Sequence, residues 1–257
     1  MALASTQSWR IAWITGASSG IGRDLALQLA RAGVKVAASA RSADALTALA
    51  AQHRGIVPFP LDVTDAVAVA AAVKAIEASV GPIDLAILNA GVWLPMAARD
   101  FNGQKAADSM AVNYFGITNA IDALMPLMIA RRSGHLAFVS SVAGYRGLPK
   151  SAAYSPSKAA VISLSQFLAR EWAMKGVRVN TLTPGFFPAE QNRKLLFNDD
   201  GTPTARTQAI WGHTPMARFG EARELIGACI FLASRAASSF VTGTDIRVDG
   251  GYLSQTI

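Results

Sequence analysis

Tyr154 and Lys158 stand four residues apart in the run Tyr154-Ser155-Pro156-Ser157-Lys158. On a helix that spacing puts both side chains on one face. A phenol has a pKa near ~10 and is a poor acid–base group at neutral pH. A neighbouring ammonium favours the phenolate and lowers that value. A tyrosine so placed is a usable proton donor to a carbonyl undergoing reduction. Ser140 and Ser141 lie upstream, and a serine hydroxyl can hydrogen-bond the same carbonyl oxygen. Alone, Y-x-x-x-K also describes an ordinary pair on a helix surface. Pro156 fits a helix start, where its missing N–H is harmless.

A second chemical signal is Thr15-Gly16-Ala17-Ser18-Ser19-Gly20-Ile21-Gly22, between a β-branched run and an amphipathic one. Glycines let a backbone turn tightly and approach a pyrophosphate, and a helix N-terminus offers free N–H groups. The spacing is G-x-x-x-G-x-G rather than G-x-G-x-x-G. About twenty residues further on, a dinucleotide enzyme specific for NAD carries an acid for the ribose. Here the positions read Ser39, Ala40, Arg41 and Ser42, with no Asp or Glu. A guanidinium matches a 2′-phosphate. The pattern therefore predicts NADP over NAD, with Arg41 as the phosphate ligand.

The elements that must hold these residues alternate regularly. Expected strands are Ile11–Thr15, Val34–Ser39, Ile56–Leu61, Ile83–Leu88, His135–Ser140, Val177–Leu182 and Asp245–Val248. Between them, helices are predicted over Ile21–Ala32, from an Asp65 N-cap to Val80, and over Gly103–Arg131, Ala152–Lys175 and Glu221–Ser234. Val69, Val73, Ile76 and Val80 form one apolar stripe in the second of these. Such alternation implies an α/β fold: a seven-stranded parallel sheet, doubly wound, with helices on both faces. No linker or repeat divides residues 1–257, so one domain is expected. The stretch from Phe186 to Thr214 breaks the rhythm and reads as a substrate lid.

Composition narrows the classes further. Of 257 residues, 51% are hydrophobic and 16% are charged, which excludes a disordered chain. No apolar run reaches the ~18–20 residues of a membrane span. The opening MALASTQSWR lacks the basic and apolar regions of a signal peptide. One cysteine, Cys229, fits a reducing, cytoplasmic setting. His53, His135, His213 and Cys229 have no metal-ligand spacing, so no metal is expected. The net charge is +7, but the 24 Lys and Arg are dispersed, with no aromatic-interleaved basic stripe. The expected partner is an anionic small molecule rather than nucleic acid or a membrane.

Together the motifs resemble the short-chain dehydrogenase/reductase family, in its ordinary, non-extended branch. The resemblance runs from about Trp9 to about Tyr252. It is carried by TGASSGIG at 15–22, Asp62-Val63, Asn89-Ala90-Gly91, Asn113, Ser141, YSPSK at 154–158, Pro184-Gly185, Val241-Thr242-Gly243 and Val248-Asp249-Gly250-Gly251. It implies a Rossmann-type fold and an NADP(H)-dependent oxidoreductase interconverting a ketone or aldehyde and an alcohol. Gly16, Ser18, Ser19, Gly20, Ile21 and Gly22 would hold the pyrophosphate. Asp62 and Val63 would face the adenine, and Asn89, Ala90 and Gly91 the ribose beside it. Tyr154 would exchange the proton, and Lys158 would hold the nicotinamide ribose and lower the tyrosine pKa. Ser141 would orient the substrate carbonyl. Asn113 would anchor a water linking Lys158 to solvent. Pro184, Gly185 and Phe187 would border the nicotinamide. The family's threonine after P-G-x-x is missing, since Pro188 and Ala189 stand there. Helices 103–131 and 152–175 resemble the family's dimerisation pair, implying a homotetramer or homodimer.

The substrate side resembles two subfamilies. The first two-thirds of the chain is similar to broad-specificity carbonyl reductases, with Trp93, Leu94, Val142, Ala143, Arg146, Phe186 and Phe187 framing an apolar carbonyl. The insertion is similar to members acting on sugar acids such as mannonate or fructuronate, with Glu190, Gln191, Asn192, Arg193 and Lys194 gripping an anion. Family divergence or a junction between Lys158 and Gly185 would each give this pattern. A third class, a catalytically silent dinucleotide sensor, typically lacks the tyrosine or lysine; here both are present.

Overall fold

A computed structural model describes residues 9–188 and 193–255. Seven parallel strands form one sheet in the order β3-β2-β1-β4-β5-β6-β7. They are β1 Ile11–Thr15, β2 Lys35–Ser39, β3 Ile56–Pro58, β4 Leu85–Leu88, β5 Gly134–Val139, β6 Val177–Pro184 and β7 Asp245–Val248. Chain order reverses between β1 and β4, which opens a crevice at the carboxyl ends of the strands. The register carries three chain exits to that crevice. Thr15 pairs with Leu88, Leu88 with Phe138, and Val139 with Leu182. The loops after β1, β4 and β5 therefore leave the sheet at one level.

Alternation along β1 sends Ile14 to one face and Trp13 to the other. Ile14 joins Leu25 and Leu29 of α1 (Gly20–Arg31) and Leu225 of α9 (Ala222–Ala233). Trp13 joins Val69, Val73 and Ile76 of α3 (Ala66–Ser79), Leu124 of α5 (Gly116–Ala130) and Leu168 of α6 (Tyr154–Trp172). Each layer buries apolar side chains, and the indole N–H of Trp13 is satisfied by Ser39 Oγ at 3.0 Å.

Several elements depart from the sequence expectations. A helix missed there, α2 (Ala43–Ala50), follows β2; Ser42 caps it by accepting from the Ala45 N–H at 3.2 Å, and it buries Leu46 and Leu49. β3 ends at Pro58 rather than Leu61, although the Phe59 and Leu61 N–H groups still bond to Ala38 and Ala40. The predicted helix over 103–131 is divided. α4 (Gly103–Met110) passes through a π-helical turn, Ala111–Phe115, into α5. Among its described residues the insertion carries two helices, α7 (Arg193–Leu196) and α8 (Ala205–His213), closed on Leu196, Ile210 and Phe219. No helix among the described residues is long and apolar enough to cross a membrane.

Candidate active site

The loop between β1 and α1 is shaped by three glycines. Gly16 and Gly20 have φ of +68° and +53°, the left-handed region that favours glycine. A Cβ on Gly16 would lie 2.8 Å from the Ala90 Cα, and one on Gly22 would collide with the Gly16 carbonyl. Gly22 thus lets α1 press against the turn. No acidic residue stands in the first turn of α1, so its amide dipoles meet no competing anion there. The β4 exit is strapped to this loop. Thr15 Oγ1 accepts from the Asn89 and Ala90 N–H groups, each at 3.1 Å, and Asn89 Nδ2 donates to the Thr15 and Gly16 carbonyls.

At the end of β2, Arg41 is exposed beside the N-terminus of α2. Its positive charge helps hold the Asp62 carboxyl below the ordinary carboxylate range, after hydrogen bonds from Thr64. Val63 is buried against Gly116, and its carbonyl accepts from Asn119. Asp62 therefore stands exposed on a fixed loop.

The structure brings the four predicted catalytic residues into one polar cluster. Tyr154 and Lys158 share a face of α6, with Lys158 Nζ 5.7 Å from the Tyr154 ring centre. Lys158 is 3% exposed, and its Nζ donates to the Val139 carbonyl at 2.8 Å. Ser140 Oγ donates to the Lys158 carbonyl at 2.9 Å, fixing that helix to the end of β5. Burial lowers the Lys158 ammonium to about 8. Burial raises the Tyr154 phenol above its ordinary 10, and a hydrogen bond with Ser141 opposes that rise. This corrects the expectation of a lowered phenol. Desolvation of the phenolate is the larger effect and the Ser141 hydrogen bond the smaller one.

Asn113 is fully buried in the π-helical turn. Its Oδ1 accepts from the Val92 N–H at 2.7 Å, and its Nδ2 donates to the Val92 carbonyl and to Ser157 Oγ. A Cβ on Gly91 would lie 3.2 Å from Asn113 Oδ1 and 3.3 Å from Lys158 Nζ. Glycine there keeps a gap that both polar atoms line. Thr15 and Ser157 stood in the sequence motifs without a role of their own, and Ser140, read there beside Ser141, spends its hydroxyl on the Lys158 carbonyl. Small hydroxyl residues beside a motif are too common to mark a role.

On the substrate side the outcome is divided. Gly185 pairs with the β7 end through its N–H to the Val248 carbonyl, and Phe187 packs on the α1 core and against Gly220. Val142 and Ala143 are buried just after Ser141. Arg146 is not turned to a substrate position; its guanidinium donates to the Leu253 and Gln255 carbonyls. Arg193 stacks over Phe197 of its own turn, with 5.6 Å to the ring centre, and Lys194 is exposed. Glu190, Gln191 and Asn192 lie outside the described residues. Trp211 packs on the cluster of Leu196, Ile210 and Phe219, while His213 stays exposed. A cavity of about 480 Å³ lies between the insertion and the β7 end, bordered by Phe186, Phe187, Met216 and Phe219.

The residues present fit a dinucleotide. The β1–α1 turn exposes a helix N-terminus, Arg41 offers a cation beside a second one, and Gly91 leaves space against Lys158. Comparison with known proteins agrees. A family model described as enoyl-(acyl carrier protein) reductase matches residues 16–253. A gluconate 5-dehydrogenase of Gluconobacter oxydans is 36% identical over 244 residues, covering 93% of this chain and 93% of that protein. A D-threitol dehydrogenase of Mycolicibacterium smegmatis is 36% identical over 250 residues, covering 95% and 92%. Among solved structures, a gluconate 5-dehydrogenase from Burkholderia cenocepacia in complex with NADP and tartrate superposes with a TM-score of 0.90 at 35% identity, over 100% of both chains. These matches run across both halves of the chain.

Proposed function

The chain belongs to the short-chain dehydrogenase/reductase family and is an oxidoreductase, and from that premise we propose that it interconverts a sugar-derived keto acid and its hydroxy acid with NADP(H). The observation that carries the chemistry is the cluster of half-buried Ser141 and Tyr154 with buried Lys158 and Asn113. The full-length likeness to gluconate 5-dehydrogenases supports the substrate class.

Gly16, Ser18, Ser19, Gly20, Ile21 and Gly22 hold the pyrophosphate at the α1 N-terminus. Arg41 takes the 2′-phosphate, and Asp62, Val63, Asn89, Ala90 and Gly91 form the adenosine side. Pro184, Gly185 and Phe187 border the nicotinamide. When bound, NADPH supplies the hydride to the carbonyl carbon. Ser141 orients the carbonyl oxygen, and Tyr154 gives that oxygen its proton, yielding the alcohol. The raised phenol pKa keeps Tyr154 protonated at neutral pH, as a donor requires. The Lys158 ammonium then stabilises the phenolate left behind. The gap at Gly91 supports a relay water between Lys158 Nζ and Asn113 Oδ1. In oxidation the same groups run in reverse.

The segment 186–214 acts as the lid of this one catalytic unit. Phe115 and Phe167 are 53% and 60% exposed on the paired helices, which supports association into a homodimer or homotetramer. One buried cysteine fits a cytoplasmic setting.

The test follows NADPH absorbance with 5-keto-D-gluconate and with an aryl ketone side by side, and with NADH in parallel. Turnover of the keto acid with preference for NADPH is expected. Turnover of the aryl ketone alone would replace this reading with a carbonyl reductase of apolar substrates, which the phenylalanines of the cavity would then line.

A further inference from the structure

Arg206, on the lid helix α8, lies over the indole of Trp93 with its guanidinium carbon 5.2 Å from the ring centre. This contact joins the lid to the loop that follows β4. That loop is pinned at both ends beside the reacting groups. Val92 is held by both of its main-chain groups to the Asn113 amide. Met96 donates its N–H to the Lys150 carbonyl and bridges to Ser151, three residues before Tyr154. Trp93 is therefore fixed between the Asn113 anchor and the approach to the tyrosine, and Arg206 is carried with it.

Among the described residues, Arg206 pairs with no carboxylate. The other arginines around the lid are placed differently, away from the loop that follows β4. Arg218 makes two bonds to Glu224, and Arg193 lies on Phe197. A guanidinium stacked on an indole keeps its edge N–H groups free, and that edge matches a carboxylate in bidentate geometry.

We propose that Arg206, held on Trp93, is the residue that recognises the carboxylate of the substrate. The ligand class is a hydroxy or keto acid whose carboxylate is several bonds from the reacting carbonyl, because the arginine stands over Trp93 and not over Tyr154. This inference rests on the sugar-acid reading above. It moves anion recognition from Arg193 and Lys194 to the following lid helix. Arg206 acts in binding and takes no part in proton or hydride transfer.

The test compares wild type, Arg206→Ala, Arg206→Lys and Arg193→Ala with two substrates, 5-keto-D-gluconate and the neutral ketose erythrulose. A gluconate titration into each protein with NADPH, a pair that cannot react because both partners are already reduced, followed by calorimetry, gives a readout apart from turnover. For Arg206→Ala the KM for ketogluconate and the Kd for gluconate should rise about tenfold, as expected for losing a charged hydrogen bond. Its kcat should stay within about twofold, because uniform binding is what is lost. The KM for erythrulose should not move, Arg206→Lys should recover part of the loss, and Arg193→Ala should match wild type. Equal rises for both substrates would assign Arg206 a structural role and overturn the proposal. So would an unchanged ketogluconate KM in an active enzyme, which would leave the sugar-acid reading intact. A wild type active on erythrulose and inert to ketogluconate would remove both.

Discussion

Asn113 Nδ2 donates to Ser157 Oγ across 2.9 Å, and this bond ties the π-helical turn to the first turn of the helix that presents Tyr154 and Lys158. Ser157 Oγ in turn donates to the Tyr154 carbonyl at 2.7 Å. The other side of the Asn113 amide holds Val92, so one buried side chain sets the distance between the β4 loop and α6. Asn113→Ala should leave the Val92 N–H and the Val92 carbonyl without their Asn113 bonds, while the Ser157 hydroxyl keeps only its bond to the Tyr154 carbonyl. Each buried orphan costs about 1–3 kcal/mol. Thermal melting should show that loss, and turnover should fall about tenfold or more because the lysine and tyrosine lose their common frame. An Asn113→Ala enzyme with wild-type melting and wild-type kcat would remove this positioning role.

Arg41→Ala should weaken NADPH far more than NADH. A charged bond to the 2′-phosphate is worth about 1.5–3 kcal/mol, so the NADPH KM should rise by roughly ten- to a hundredfold. The NADH KM should hardly change. Equal losses for both cofactors would show that Arg41 does not read the phosphate.

Lys158 links stability to alkaline pH. Its folded pKa is lowered from 10.5 to about 8 by burial. Between those values the unfolded chain binds more protons, so this group makes the ligand-free protein more stable as pH rises through that window. Urea unfolding at pH 7.5 and 9.5 measures it, taken as the difference between wild type and Lys158→Met. Wild type should gain on the variant at the higher pH. A difference that stays flat would mean that the ammonium is not desolvated.

His135 acts in the same direction, in the acidic range. It is buried at the start of β5, 3.0 Å from Asn180 Nδ2 and beside the Arg178 guanidinium. Burial, helped by Arg178, holds its pKa well below 6.5. Stability from the neutral ring is complete above the unfolded value of about 6.5 and is lost as pH falls below it toward the folded value. The slope should approach about 1.4 kcal/mol per pH unit between pH 6 and 5. His135→Gln should flatten the denaturation profile over that range, whereas an unchanged slope would place the acid sensitivity elsewhere.

Much of this site was legible because its signals are local. Tyr154 and Lys158 are one helical turn apart, and the Gly16–Gly22 turn lies between a strand and a helix, so short-range spacing located both. Asn113 was legible as a motif residue but not as a strap. Ala111–Phe115 carries no proline or glycine to announce a π-helical turn, and the partners Val92 and Ser157 are distant in sequence. α2 was missed although Ser42 is an ordinary N-cap, because only Leu46 and Leu49 mark its buried face. The direction of the Tyr154 shift depended on burial, which only the packed fold supplies. Arg206 was invisible for the same reason, since its partner Trp93 lies on another loop.

The most direct test of the account is Tyr154→Phe. Phenylalanine keeps the ring and removes only the hydroxyl that is to supply the proton. The account predicts that NADPH-dependent reduction of 5-keto-D-gluconate falls at least about a hundredfold, the lower end of what general acid catalysis contributes. NADPH affinity, measured by fluorescence titration of the same preparation, should remain within about twofold, because the hydroxyl acts in the transition state rather than in cofactor binding. A Tyr154→Phe enzyme that reduces the keto acid at the wild-type rate would contradict the proton-donor role and the account built on it.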